Sequence, residues 1–322
     1  IDCEGGITGF GEAAVATHIT GETVAQTKAN LQKFASQMIG KEIAGYRPLS
    51  EAASKKFSKN RSALAAVEMA LLDAYTQSRG LPLWKYFGQA LSRVVTDITI
   101  VISGLAQTKK SARAFYAQGF RVFKIKIGRD LDLDIKRVAA VCEIAPKAKI
   151  ILDANQALSA HEALFFLNDL EKLRIHPVLI EQPVPKADWD GLAKITRESR
   201  VKVCADESAA SLEDASKAIR TKAVDAINIK FMKTGILEAQ KIVRLAVKNN
   251  IELMLGSMME SPLSAAAAAH FAGGSGAFNY IDLDTPFFIK GDILKQAHLK
   301  PNGVYELKKI KRGIGVIPDL KT

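Results

Sequence analysis

Three acidic residues, Asp153, Glu181 and Asp206, each stand at the end of a short apolar run, and lysines stand in the same place on two others, Lys124 and Lys126 in one and Lys230 in the second. Three unpaired carboxylates delivered to one point would repel, and a hard divalent cation resolves the conflict. A ligand set of oxygens with no His or Cys suits Mg2+, one ion per subunit, better than zinc. Each acid taken alone would also fit as a cap on the helix that follows its run. Lys124 and Lys126 are two residues apart and so share a face of a strand. Crowding two ammonium groups lowers the pKa of at least one, which would leave Lys126 a neutral base near neutrality, although two surface lysines at a strand end would look the same. An amine alone cannot remove the weakly acidic proton next to a carboxylate at a useful rate. A cation on the carboxylate oxygens supplies what is missing, because it stabilises the enediolate that forms.

The elements that would position these groups are legible. From about residue 94, short β-rich runs alternate with helical stretches, as in a parallel sheet covered on both faces. The runs are Ile98–Ile102, Val122–Ile127, Ile150–Asp153, Val178–Glu181, Val201–Asp206, Ala226–Lys230, Ile251–Leu255 and Tyr280–Asp284. Eight units recurring about every 25 residues predict a closed (β/α)8 barrel of the TIM type, whose reacting groups sit where the strands run out. Lys126 on the second strand and Lys230 on the sixth then face each other across the ring. A carbon held between two such amines can lose a proton on one face and gain one on the other, which inverts a stereocentre. Asp282 and Asp284 end the eighth strand, across the mouth from the acidic trio. They would suit a cationic group at the far end of the substrate, such as a peptide ammonium, or else hold a loop or pair with surface lysines.

Composition bounds the remaining classes. A length of 322 residues with 48% hydrophobic and 25% charged residues fits one large folded domain with an added smaller one. The helical periodicity of 22–90, clearest in 60–79 and ended by Gly80 and Pro82, gives that smaller layer. A net charge of +11 raises nucleic acid as a partner, but the lysines are spread and no recognition motif accompanies them, so the charge reads as solubility and steering of anions. No apolar run approaches the roughly 18 residues that span a membrane. Cys3, Cys142 and Cys204 form no C-x-x-C pair, so the expectation is a cytoplasmic protein without disulfides. No feature fixes the oligomeric state, and a homo-oligomer is compatible with the sequence. Residues 1–16 read as a strand pair turning at Gly5-Gly6, with something N-terminal to it missing.

KIKIG (124–128), DANQ (153–156), EQP (181–183), ADES (205–208) and NIK (228–230), with the helical segment 65–88, closely resemble the enolase superfamily and within it the muconate-lactonizing-enzyme subgroup. The resemblance implies an α+β capping domain built from the N-terminal segment (1–92) and the C-terminal tail (299–322), closing over a barrel at 93–298. It also implies that the cap's first strand and its specificity loop precede residue 1. DLDTP (282–286), ITGET (19–23) and GSMME (256–260) look like the dipeptide epimerases, notably the Ala-Glu type. That likeness implies Asp282 and Asp284 on the substrate's α-ammonium, Lys126 and Lys230 as acid and base, and Lys124 on the carboxylate. Thr99 joins them as a further substrate contact, and the inverted centre is the C-terminal residue of an L-Ala-L-Xaa dipeptide. Muconate cycloisomerisation and o-succinylbenzoate synthesis would use the same barrel residues, but their anionic substrates would be repelled by the aspartate pair. A Schiff-base aldolase using Lys230 is the rival from another class.

Overall fold

The computed structural model describes residues 1–128, 130–290, 294–295 and 298–318; the last four residues of the predicted tail lie outside them. The cap comprises β1 (Asp2–Cys3), β2 (Ile7–Thr8), α1 (Thr17–Thr20), α2 (Val24–Met38), α3 (Tyr46–Lys56), α4 (Arg61–Ser78), α5 (Leu83–Tyr86) and β3 (Arg93–Val95). The first barrel half is β4 (Ile98–Ile100), α6 (Leu105–Gln118), β5 (Val122–Lys126), α7 (Leu131–Ile144), β6 (Lys149–Asp153), α8 (Ala160–Lys172), β7 (Leu179–Glu181) and α9 (Trp189–Glu198). The second is β8 (Lys202–Ala205), α10 (Leu212–Arg220), β9 (Ala226–Ile229), α11 (Phe231–Thr234), α12 (Ile236–Lys248), β10 (Glu252–Gly256), α13 (Pro262–Ser275) and β11 (Tyr280–Asp282). Short strands β12 (Leu294–Lys295), β13 (Val304–Glu306) and β14 (Ile317–Pro318) complete the chain.

Strands β4 to β11 pair in chain order, all parallel, as the eight apolar runs predict. The Asp97 N–H donates to Ile281 O at 2.9 Å, which brings the start of the first strand to the last and nearly closes the ring. Apolar side chains, among them Ile151, Leu179, Cys204, Ala226 and Met254, fill the interior, so the barrel is a packed core and not a pore. A larger apolar cluster lies between the strands and the surrounding helices. Burying each of its Leu, Ile or Phe side chains contributes about 1.5–3 kcal/mol. Side-chain caps start the helices where the strand ends require it: Ser159 and Glu162 form a reciprocal capping box on α8, and Asp130, Asp188, Ser211 and Ser261 cap α7, α9, α10 and α13.

The cap is tied to the barrel through α4, an Ala-rich helix almost wholly buried. A Cβ on Gly11 would lie 2.0 Å from Ala66 O, so only glycine lets the strand leaving β2 cross α4 that closely. Glu68 of α4 accepts the backbone N–H groups of Ile236 and Leu237, capping the barrel helix α12 from the cap side. The tail comes back to the same helix, where Ile314 N–H donates to Asp73 Oδ1 at 2.8 Å, and β13 pairs with β3.

Candidate functional site

A cavity of about 1340 Å³ opens at the C-terminal ends of the barrel strands, walled on its outer side by cap residues Ala14–Thr20. Lys124, Lys126, Lys230, Asp282, Asp284 and Thr99 all line it. Lys126, Asp153 and Glu181 stand side by side in register across β5, β6 and β7, and Asp206 follows directly after β8. The spacing read from the sequence thus delivers the three acids to neighbouring strand ends.

Lysines bind these acids together. Lys124 Nζ lies 3.0 Å from Asp153 Oδ2, 2.7 Å from Glu181 Oε2 and 2.6 Å from Asp282 Oδ2, so it bridges the acidic trio and the aspartate pair. Lys126 Nζ donates to Asp153 Oδ2 at 2.6 Å and to Asn155 Oδ1 at 2.7 Å, while Lys230 Nζ sits 2.8 Å from Asp206 Oδ2. Burial alone would raise Asp153 and Asp206, but Lys124 and Lys126 at the first and Lys230 and Lys233 at the second outweigh it and hold both far below the ordinary carboxylate value. Glu181 goes the other way: burial and the adjacent Asp153 push it up to about 7 against Lys124.

At Lys124 the surrounding carboxylates, not the neighbouring ammonium, set the charge state. Burial does disfavour its charge, but Asp153, Asp282, Glu181 and Asp97 together hold it well above the ordinary lysine value. The sequence shows the neighbouring lysine two residues away and hides the carboxylates that come from three other strands. Lys230 is likewise held as an ammonium, by Asp206 and Glu181, against its burial.

Residues the sequence reading passed over hold the acids in place. Gln182, fully buried with φ 35°, donates to Val184 O and Ser208 Oγ and accepts from the backbone N–H of Asp206 and of Ser208. It therefore locks the end of β7 to the end of β8, and such a left-handed residue persists only where surrounding bonds over-determine it. Asn228 donates to Glu181 Oε1 at 2.8 Å, and Lys233 donates to Asp206 Oδ1 and O and to Asn228 O. Gly256 leaves the room these groups need, since a Cβ there would stand 2.8 Å from both ends of the Asn228 amide and 3.0 Å from Lys230 Cε. The signals for Gln182 and Asn228 were present in EQP and NIK; nothing in the spacing marks Lys233, whose acceptors are mostly backbone carbonyls.

On the opposite wall, Thr99 N–H donates to Asp284 Oδ2 at 2.6 Å, so Thr99 also positions this aspartate in addition to lining the cavity. Burial, then Asp282, push Asp284 up to about 7. Among the described residues, Asp97, Asp282 and Asp284 form an acidic group with one oxygen of each within 4.8 Å of the others. Among the described residues, Asp153, Glu181 and Asp206 do not bring one oxygen each that close together. The trio of Asp153, Glu181 and Asp206 stands at neighbouring strand ends, with Lys126 and Lys230 on its outer members and the buried Glu181 Oε2 without an aligned hydrogen bond even with Lys124 near it. Asp97 contacts neither of those lysines.

Comparison with known proteins places this geometry. Residues 1–88 match the mandelate racemase/muconate lactonizing enzyme N-terminal domain, and residues 107–322 match the enolase C-terminal domain-like family. A hydrophobic dipeptide epimerase of Citrifermentans bemidjiense is 49% identical over 97% of this chain and 87% of its own. Among solved structures, a mandelate racemase/muconate lactonizing enzyme from Roseiflexus sp. superposes with a TM-score of 0.95 at 38% identity, over 98% of this chain and 91% of that one. A dipeptide epimerase from Enterococcus faecalis V583, complexed with Mg and the dipeptide L-Leu-L-Tyr, gives 0.93 at 33% identity over 98% and 90%. The chain belongs to the mandelate racemase/muconate lactonizing enzyme group of the enolase superfamily and, within it, to the dipeptide epimerase family.

Proposed function

We propose that this chain inverts the α-carbon of the C-terminal residue of an L-Ala-L-Xaa dipeptide, with Asp153, Glu181 and Asp206 holding one Mg2+. The observation that carries this reading is the placement of Lys126 and Lys230 on strands four apart in an eight-stranded ring, each bonded to an outer member of the acidic trio. Bound there, Mg2+ supplies positive charge where negative charge builds on the substrate carboxylate as the α-proton leaves. Lys124, a persistent buried cation, steadies the same carboxylate. Lys126 and Lys230 address opposite faces of the α-carbon, one taking a proton and the other giving one, and the reverse reaction exchanges the roles. Asp282 and Asp284 receive the dipeptide's ammonium at the far wall, with Thr99 holding Asp284.

The side chain of Xaa meets a wall formed by Val15 and Ile19 of the cap with Met258 and Met259 of the barrel. Such a wall suits a hydrophobic residue, in keeping with the name of the Citrifermentans relative. Lys59 and Lys186 on the same rim support a second reading, an acidic Xaa as in Ala-Glu. A dipeptide library incubated with Mg2+ in D2O and read by mass spectrometry separates them. The proposal expects deuterium uptake at one carbon in L-Ala-L-Leu and L-Ala-L-Phe; uptake by L-Ala-L-Glu alone favours the second reading, and lactone or aryl products would point to the cycloisomerase or synthase chemistry.

A further inference from the structure

The barrel interior holds a carboxylate that the chemistry above does not use. Asp97 enters just before β4, is 1% exposed, and has no hydrogen-bond partner for either Oδ1 or Oδ2 among the described residues. It lies with Asp282 and Asp284, one oxygen of each within 4.8 Å of the others, and also borders a separate cavity of about 490 Å³ at the N-terminal ends of the strands, near Val122, Lys149 and Lys202. The three aspartates are served unequally. Asp282 receives Lys124 at 2.6 Å and Asp284 receives the Thr99 N–H at 2.6 Å, whereas Asp97 receives nothing. The charged groups facing Asp97 are Asp282 and Asp284 from the end of β11, Glu181 from β7 and Lys124 from β5. The one cation among them is already spread over Asp153, Glu181 and Asp282.

We propose that Asp97 keeps its proton at working pH and acts as a neutral hydrogen-bond donor toward the Asp282–Asp284 pair, a positioning residue for the subsite that takes the substrate's ammonium. An ionised carboxylate with no donor, beside two others, recovers too little to offset its desolvation, while the carboxylic acid form supplies the one O–H that the pair can accept. Burial first, then Asp282 and Asp284, drive the Asp97 carboxyl well above its ordinary value, which supports the same assignment. The positioning role rests on the reading that the aspartate pair binds the ammonium; the protonation does not.

Infrared spectra of the Mg2+-loaded enzyme in D2O at about pH 9, where ordinary carboxyl groups are ionised, test the protonation directly. The wild-type minus Asp97→Asn difference should contain the carbonyl band of a protonated carboxyl group. Asp97→Asn keeps a donor, so its kcat and KM for L-Ala-L-Leu should stay within about threefold of wild type, while Asp97→Ala should raise KM about tenfold with kcat within about threefold. Absence of the carboxyl band, or a KM for Asp97→Asn raised as far as that of Asp97→Ala, overturns the proposal, because either shows a negative charge at work, as in a cation bound by all three aspartates. Should Asp97→Ala fail to fold, the infrared difference still decides. Equal turnover of free and N-acetylated dipeptide by the wild type would overturn the positioning role while leaving the infrared result to stand by itself.

Discussion

A methyl group added at Gly256 has nowhere to go, because the Asn228 amide and Lys230 Cε already occupy the space. Gly256→Ala should displace Lys230 by a fraction of an ångström to an ångström and lower kcat by about 10²-fold with the global fold retained, which steady-state kinetics beside circular dichroism will show. Gln182 offers a second test, since its side chain makes four hydrogen bonds at the junction of β7 and β8. Gln182→Leu leaves buried backbone groups unpaired and should cost about 3 kcal/mol in urea unfolding. Calorimetry should also find Mg2+ affinity weakened at least about tenfold, because Asp206 loses its orientation. Most of the charged residues gathered at the strand ends were legible from type and spacing alone, since a charged group ending an apolar run has few structural uses. Their charge states were not: Lys124 is governed by Asp153, Glu181 and Asp282, which come from elsewhere in the chain.

The barrel strands were legible as elements because branched apolar runs such as 150–153 end abruptly in a polar residue, and that change marks both the strand and its functional end. The cap was less so. Pairing of β13 with β3 and the return of Ile314 to Asp73 join segments far apart in sequence, and no local pattern announces them. His270 of α13 sits at that seam: its Nδ1 accepts from Trp84 N–H of α5 at 2.8 Å, and its Nε2–H donates to Ile314 O at 3.0 Å. Burial lowers it from the ordinary 6.5 to about 3, so the folded chain keeps it neutral where the unfolded chain protonates it. The stabilisation is complete above the unfolded value and is lost as pH falls through it, amounting to about 2 kcal/mol by pH 5. Urea titrations of His270→Gln should therefore show an acid limb shallower by one proton than that of wild type. An unchanged limb would mean that the histidine is not the group that charges.

At the scale of the molecule, cap and barrel meet around one cavity, and Mg2+ held by the proposed acidic trio would link metal binding to stability. Mg2+ at about 100 times its Kd should add about 2.7 kcal/mol, seen as a raised Tm that EDTA reverses along with activity. Full activity after chelation would instead favour Schiff-base chemistry at Lys230, which borohydride would trap. The central claim is geometric: two amines address opposite faces of one carbon. The most direct measurement follows α-deuterium exchange of L-Ala-L-Leu and of its L,D epimer in D2O by Lys126→Ala and Lys230→Ala. Each variant should fall by about 10³-fold in epimerisation yet still exchange one epimer, a different one for each lysine that remains. Exchange of the same epimer by both variants would place the two lysines on one face and contradict the account.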